Sequence, residues 1–219
     1  AAPDPDGPGL AAPGTSSATA NFADNFSSSV GSDGAPAAGS NLSYAFTLLD
    51  SLGNPASDIE SGLFALDNTD TSDTDGDGIG QGDAILLNLD AGTGDIVGTA
   101  NGTEFIRIAV DNNSANLLTF GTVTFSQSNN IWHSDTTDRD DTETLSVDPA
   151  NGSLNLTLTV TDADGDSDAE SIDLSGAFSI EDDGPSVTVT ATADAITLDE
   201  TAAAPDPDGP GLAAPGTSS

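Results

Sequence analysis

Apolar and polar residues alternate along this chain with a period of two. In "SLNLTLTVTD", Leu154, Leu156, Leu158 and Val160 fall on one face, and Asn155, Thr157 and Thr159 on the other. "EFIRIAVD" sets Ile106, Ile108 and Val110 together, "AILLNLD" aligns Ile85, Leu87 and Leu89, and "SVTVTATADAITLDE" aligns Val187, Val189, Ala191 and Ala193. Such alternation marks half-buried strands, and the Thr and Val that fill the runs suit a pleated surface. Between them stand "DAGTGD", "DNNSAN" and "DPANGS", whose Gly, Asn, Asp and Ser form turns. The pattern predicts about nine strands and no amphipathic helix. Short strands at this spacing predict an all-β chain, an antiparallel, immunoglobulin-like β-sandwich.

One run changes parity. After Ala193 the apolar positions move from odd to even, at Ile196 and Leu198. A one-residue slip turns every side chain to the other face, so the shift predicts a bulge or kink near Asp194–Ala195, unless the small alanines are indifferent to face. A second irregularity is a repeat. "AAPDPDGPGLAAPGTSS" occupies residues 1–17 and recurs, letter for letter, as residues 203–219. Chance does not give such a match. It predicts a tandem, head-to-tail array of which this chain holds one period and the start of the next. The period is far longer than the roughly 20–50 residues of a solenoid unit and suits whole domains in series. "PDPDGPG" cannot supply the N–H groups of a sheet and reads as an exposed loop.

Charge narrows the partners. Thirty-seven acidic residues face two basic ones, Arg107 and Arg139, for a net charge of −35. Such a surface repels nucleic acid and anionic membranes and attracts divalent cations. No apolar run approaches the roughly 18 residues of a membrane span, so direct membrane insertion is not expected. The chain has no Cys; the staple a disulfide would supply must come from elsewhere, and bound calcium is the obvious candidate.

Calcium takes six to eight oxygen ligands, mostly carboxylates and carbonyls around a tight turn, and three stretches offer them. "DTDGDGIGQGD" places Asp73, Asp75 and Asp77 at alternating positions before Gly78, the first half of an EF-hand loop. Its twelfth position is Ala84 rather than Glu, which leaves Asp83 as the substitute closing ligand. "DADGDSD" offers Asp162, Asp164, Asp166 and Asp168 around Gly165, and "EDDGPS" offers Glu181, Asp182 and Asp183 before a Gly-Pro break. "DTTDRDDTE" is a weaker fourth. Each is alternatively a solvated acidic turn.

Enzyme chemistry finds little support. The one His, His133, lies in "IWHSD" with no Ser nucleophile in a recognisable strained turn. Paired carboxylates of a glycosidase carry no signal in a chain this acidic. The expectation is that the chain is not an enzyme.

The stretches "NIWHSDTTDRDDTETLSV", "LNLTLTVTDADGDSDAESIDLSGAFSIEDDGPSV" and "ITLDET" resemble the long repeats of bacterial repeats-in-toxin (RTX) adhesins, giant surface proteins exported by type I secretion. The likeness is strongest over residues 104–201 and weaker over 20–100, where "SNLSYAFTLLDSLG" still fits. It implies a structural extender domain, stiffened by calcium, that holds an adhesive region away from the bacterial cell surface. It implies an extracellular location, with neighbouring copies of the same repeat, head-to-tail, as partners. It also implies that "EDDGPSV" closes one domain and "VTVTATADAITLDET" opens the next. Residues 1–17 are then a Pro/Gly-rich loop, 18–184 the sandwich body, and 185–219 the first strand and loop of the following repeat. In separate subunits the same cut becomes donor-strand exchange, so a self-assembling extracellular filament is the alternative. A carbohydrate- or ice-binding module is a third reading, disfavoured by few aromatic residues and Thr residues scattered over several strands.

Overall fold

In the computed structural model, which describes residues 16–36, 41–116, 118–138, 140–182 and 184, the alternating runs within those limits are strands. In chain order they are β1 (Ser16–Asn21), β2 (Leu42–Asp50), β3 (Ile59–Leu66), β4 (Gln81–Leu89), β5 (Ile96–Ala100), β6 (Thr103–Val110), β7 (Thr122–Gln127), β8 (Thr142–Thr144), β9 (Gly152–Thr161), β10 (Ser167–Asp173) and β11 (Ser179–Glu181). The only helical element among the described residues is one 3-10 turn, Ala23–Asn25. A six-stranded sheet runs β1-β7-β6-β5-β4-β3, a three-stranded sheet runs β10-β9-β2, and β11 pairs with β8. Every pairing is antiparallel. The architecture is an all-β sandwich. All described residues belong to one compact unit, residues 2–185. The run 186–200, with its parity change near Asp194–Ala195, and both copies of the Pro-rich repeat up to Thr15 and from Ala203 lie outside the described residues.

The alternation fixes which side chains enter the core. Leu154, Leu156 and Leu158 of β9 and Tyr44, Phe46 and Leu48 of β2 are buried with Ile85, Leu87, Ile106 and Ile108 of the larger sheet. Val110 and Val160 are half-buried at strand ends. Leu89 shares a face with Ile85 and Leu87, yet at the end of β4 it is 45 % exposed.

Among the described residues eleven strands stand, more than the sequence pattern predicts there, and the additions have a physical reason. β8 and β11 have three residues each, too few to show alternation. β1, "SSATAN", carries only the small Ala18 and Ala20 on its apolar face and is exposed along its whole length; it pairs with β7. Ser16 and Ser17, placed in the opening loop by sequence, are therefore strand residues opposite Gln127 and Ser126.

A bulge and an ion-pair cluster bear on the loops. The β3–β4 register shifts between Glu60 and Phe64, where Gly62 takes a φ of 76°. There the buried Ser61 Oγ donates to Ile85 O (2.7 Å) and accepts from Leu63 N (3.1 Å), which satisfies ladder groups the bulge disrupts. On β6, Arg107 holds Glu104 in two parallel bonds (2.9 and 2.7 Å) and reaches Asp95 at 2.9 Å and Asp90 at 3.5 Å. It ties the β4–β5 turn to the sheet. These carboxylates, Glu104 first, raise its pKa further, so it stays charged. This cation is committed to the sheet and not to the acidic loops.

Candidate metal centres in the acidic loops

The β3–β4 connection, residues 67–80, is built by carboxylates bonding backbone. Asp67 Oδ1 accepts from Thr69 N (2.8 Å) and Thr69 Oγ1 (2.7 Å). Asp67 N donates to Gly80 O at 2.8 Å, Gly80 N to Asp70 Oδ2 at 2.9 Å, and Gly78 N to Asp73 Oδ1 at 3.2 Å. Gly76, Gly78 and Gly80 take φ of 89°, 113° and 84°, values closed to most side chains.

The loop folds over Trp132. Ile131 bridges to Ala65 of β3, which brings the next residue under the loop. Trp132 Nε1 donates to Ile79 O at 2.9 Å, and its ring meets Phe64 edge-on at 6.1 Å. A Cβ added to Gly78 would stand 2.6 Å from Trp132 Cζ2. No spacing in the sequence signals this contact, 54 residues apart.

On this frame the carboxylates of Asp73, Asp75 and Asp77 converge, each offering an oxygen within 4.8 Å of the others, all exposed. Asp77 titrates above the ordinary carboxylate range, first because it shares a hydrogen bond with Asp75, then through partial desolvation and the charges of Asp75 and Asp70.

A second group forms between loops distant in sequence. The β9–β10 turn is closed by Asp162, whose N donates to Asp166 O (2.9 Å) and whose Oδ1 accepts from Gly165 N (3.1 Å) and Asp166 N (3.0 Å). Asp33, from the β1–β2 connection, brings its carboxylate within 4.8 Å of those of Asp162 and Asp164. The Asp162 pKa is lowered, chiefly by a hydrogen bond from Asp164 and then by backbone N–H groups. Sequence reasoning did not select Asp33, a lone acid in "SDG"; only the fold brings it to the turn.

The other predicted ligands lie elsewhere. Asp83 sits on β4, where Asn101 Nδ2 donates to its carboxylate, and it does not join the Asp73 group. Asp166 contributes backbone groups to its turn rather than a carboxylate to the cluster. Asp168 is on β10 opposite Val160, with Glu170 two residues on opposite Leu158. Charges on the core-facing side of an exposed edge strand discourage further pairing, which gives Asp168 a structural role. Glu181 pairs with Thr142 in β11–β8, Asp182 N donates to Asp141 O at 2.8 Å, and neither joins a carboxylate group among the described residues. Asp183 lies outside the described residues. In the fourth stretch, Asp135 Oδ1 accepts from Thr137 N and Oγ1 (2.8 and 2.7 Å).

The two groups fit a calcium ion in donor type and spacing. Ligand oxygens about 2.4 Å from an ion stand up to about 4.8 Å apart, so three carboxylates this close can share one. Three carboxylates offer at most six oxygens, and an ion there would complete its shell with carbonyls or water.

Residues 10–175 match the model of a family described as Domain of unknown function (DUF5801). The chain belongs to this DUF5801 family. No curated protein and no solved structure matches it. The matched span of the DUF5801 chain takes in both carboxylate groups, Trp132 and the Arg107 clamp, and ends before Glu181 and Asp182.

Acid should unfold the ion-free DUF5801 domain. Asp50, held by Asn54 N–H, Asp67 by the Thr69 hydroxyl, Asp90 by Gly92 N–H and Asp135 by the Thr137 hydroxyl all titrate below the usual 3.8. A depressed folded-state pKa adds stability above the unfolded value, and that stability is lost as pH falls through the folded one. Asp77 has the opposite sign: its contribution is present below 3.8 and lost as pH rises through its raised value. The melting temperature of protein stripped of calcium beforehand is therefore expected to fall as pH drops below 3.8. A melting temperature still climbing there would count against the loop bonds.

Proposed function

We propose that this chain is a structural extender unit of an extracellular bacterial surface adhesin or fibre, a β-sandwich spacer rigidified by calcium. One observation carries the reading: Asp73, Asp75 and Asp77 in one loop, and Asp33, Asp162 and Asp164 across two, each bring three carboxylates within 4.8 Å of one another. Repulsion opposes such gathering unless a cation offsets it. Calcium would neutralise the loops and lock them against the sandwich, Asp33 joining the β1–β2 connection to the β9–β10 turn. The resemblance of the sequence to RTX adhesin repeats and the matching seventeen-residue stretches at 1–17 and 203–219 favour a unit that recurs head-to-tail. Nothing in this role requires catalysis.

Trp132 supplies the test. It is the only Trp in the chain and touches the first loop through Gly78 and Ile79. Calcium titrated into chelator-treated protein is expected to shift or intensify its fluorescence saturably, and magnesium at the same concentration to do so weakly, because it prefers a smaller, near-octahedral site. With Asp75→Asn and Asp77→Asn together, the response should vanish while the Asp33 group still binds. A parent chain whose spectrum and calorimetric heat both ignore calcium would end the calcium reading.

A further inference from the structure

The chain contains two Asn-Gly pairs, Asn101–Gly102 and Asn151–Gly152. We propose that Asn101 is a site of spontaneous deamidation and that the fold protects Asn151 from the same reaction. In an Asn-Gly pair the glycine nitrogen, on losing its proton to solvent base, attacks the Asn Cγ. The N–Cγ bond forms, the Cγ–Nδ2 bond breaks, and the amide nitrogen leaves as ammonia, taking up a proton. Water then opens the cyclic imide at one of its two carbonyls. One opening gives aspartate; the other gives isoaspartate, with the backbone routed through the side chain. The net change is one water consumed and one ammonia released, with no oxidant or reductant.

The reaction needs a glycine nitrogen free to approach the side chain. Asn101 and Gly102 form the exposed two-residue turn between β5 and β6, with φ of 50° and 74°. Both values are positive, as in a type I′ hairpin. Nothing lies within 4 Å of a Cβ built on Gly102, and its N–H meets no acceptor among the described residues. The turn can open by itself, without disturbing the core. Gly152 is different in each respect. It is buried at the start of β9, paired with Asp50. Its N–H donates to Asp148 O at 3.0 Å, as Asn151 N does at 2.8 Å. Leu49 O stands 2.4 Å from where its Cβ would be. Attack by that nitrogen requires the β2–β9 pairing to come apart first.

The conversion has a local consequence. Asn101 Nδ2 donates to the Asp83 carboxylate. Aspartate at 101 replaces that donor with a second negative charge, and isoaspartate also lengthens the backbone of a two-residue turn. Either loosens the joint between β4 and the β5–β6 hairpin.

Folded protein held warm in mildly alkaline buffer, then digested and mapped by mass spectrometry, tests this. Aspartate and isoaspartate are expected at position 101 at least about tenfold faster than at 151, because residue 152 reacts only through larger opening. In urea the two sites should convert at similar rates, and Gly102→Ala should slow conversion at 101. Equal rates in the folded chain, or a stable Asn101 over a time in which the urea-unfolded chain converts, would overturn the proposal. Asn101→Asp should melt below the parent and Asp83→Asn should restore it; an unchanged melting temperature for Asn101→Asp would remove the role given to Asp83.

Discussion

Calcium at a hundredfold excess over Kd is expected to raise the unfolding free energy by about 2.7 kcal/mol for each site, or about 5 kcal/mol for two independent sites. The expectation follows from mass action, since the unfolded chain has no reason to keep Asp33 beside Asp162. Urea unfolding with calcium and with chelator measures it directly. Asp33→Asn should remove the increment of the second group alone, and Asp75→Asn with Asp77→Asn that of the first. The two losses should add, because the groups share no ligand. In chelator the loop variants have the opposite sign. Asp77 titrates high because Asp75 opposes its charge, so removing both charges should leave the ion-free protein at least as stable as the parent. Identical unfolding curves with and without calcium would sink the proposed function.

Gly152→Ala should be strongly destabilising, at about 3 kcal/mol, toward the upper end for overpacking. The new Cβ would stand 2.4 Å from Leu49 O and 3.1 Å from Ile59 Cδ1. The carbonyl belongs to β2, which is pinned to β9 along nine residue pairs, so it cannot move without shifting the ladder. Gly98→Ala provides the comparison. Its Cβ would come as close, 2.4 Å from Ile106 Cγ1 and 2.9 Å from Ile85 Cγ2, but those atoms belong to side chains, whose repacking leaves the β5–β6 ladder in place. A cost of about 1–2 kcal/mol is expected there. Denaturant midpoints of the two variants check the order. If Gly98→Ala proved the costlier, the rigid-backbone argument would be wrong.

Sequence by itself determined β4, β6 and β9 and the core face of each. Alternation is a property of the pleat, set residue by residue, so Leu154, Leu156 and Leu158 declare their burial without knowing their partners. It also pointed to the Asp73, Asp75 and Asp77 group, whose carboxylates do converge, whereas Asp166 and Asp168 of the similarly spaced β9–β10 turn stay out of the second group. Where alternation rests on small residues, as in β1, or is too short, as in β8 and β11, the strand stays hidden until a partner pairs with it. The tertiary structure alone decided that Asp33 meets Asp162 and Asp164, that Asp83 turns to Asn101, that Asp168 lies along a strand edge, and that Trp132 supports the acidic loop. Each of these depends on which strands become neighbours and in what register. That is a balance of packing over the whole sandwich, and no local spacing records it.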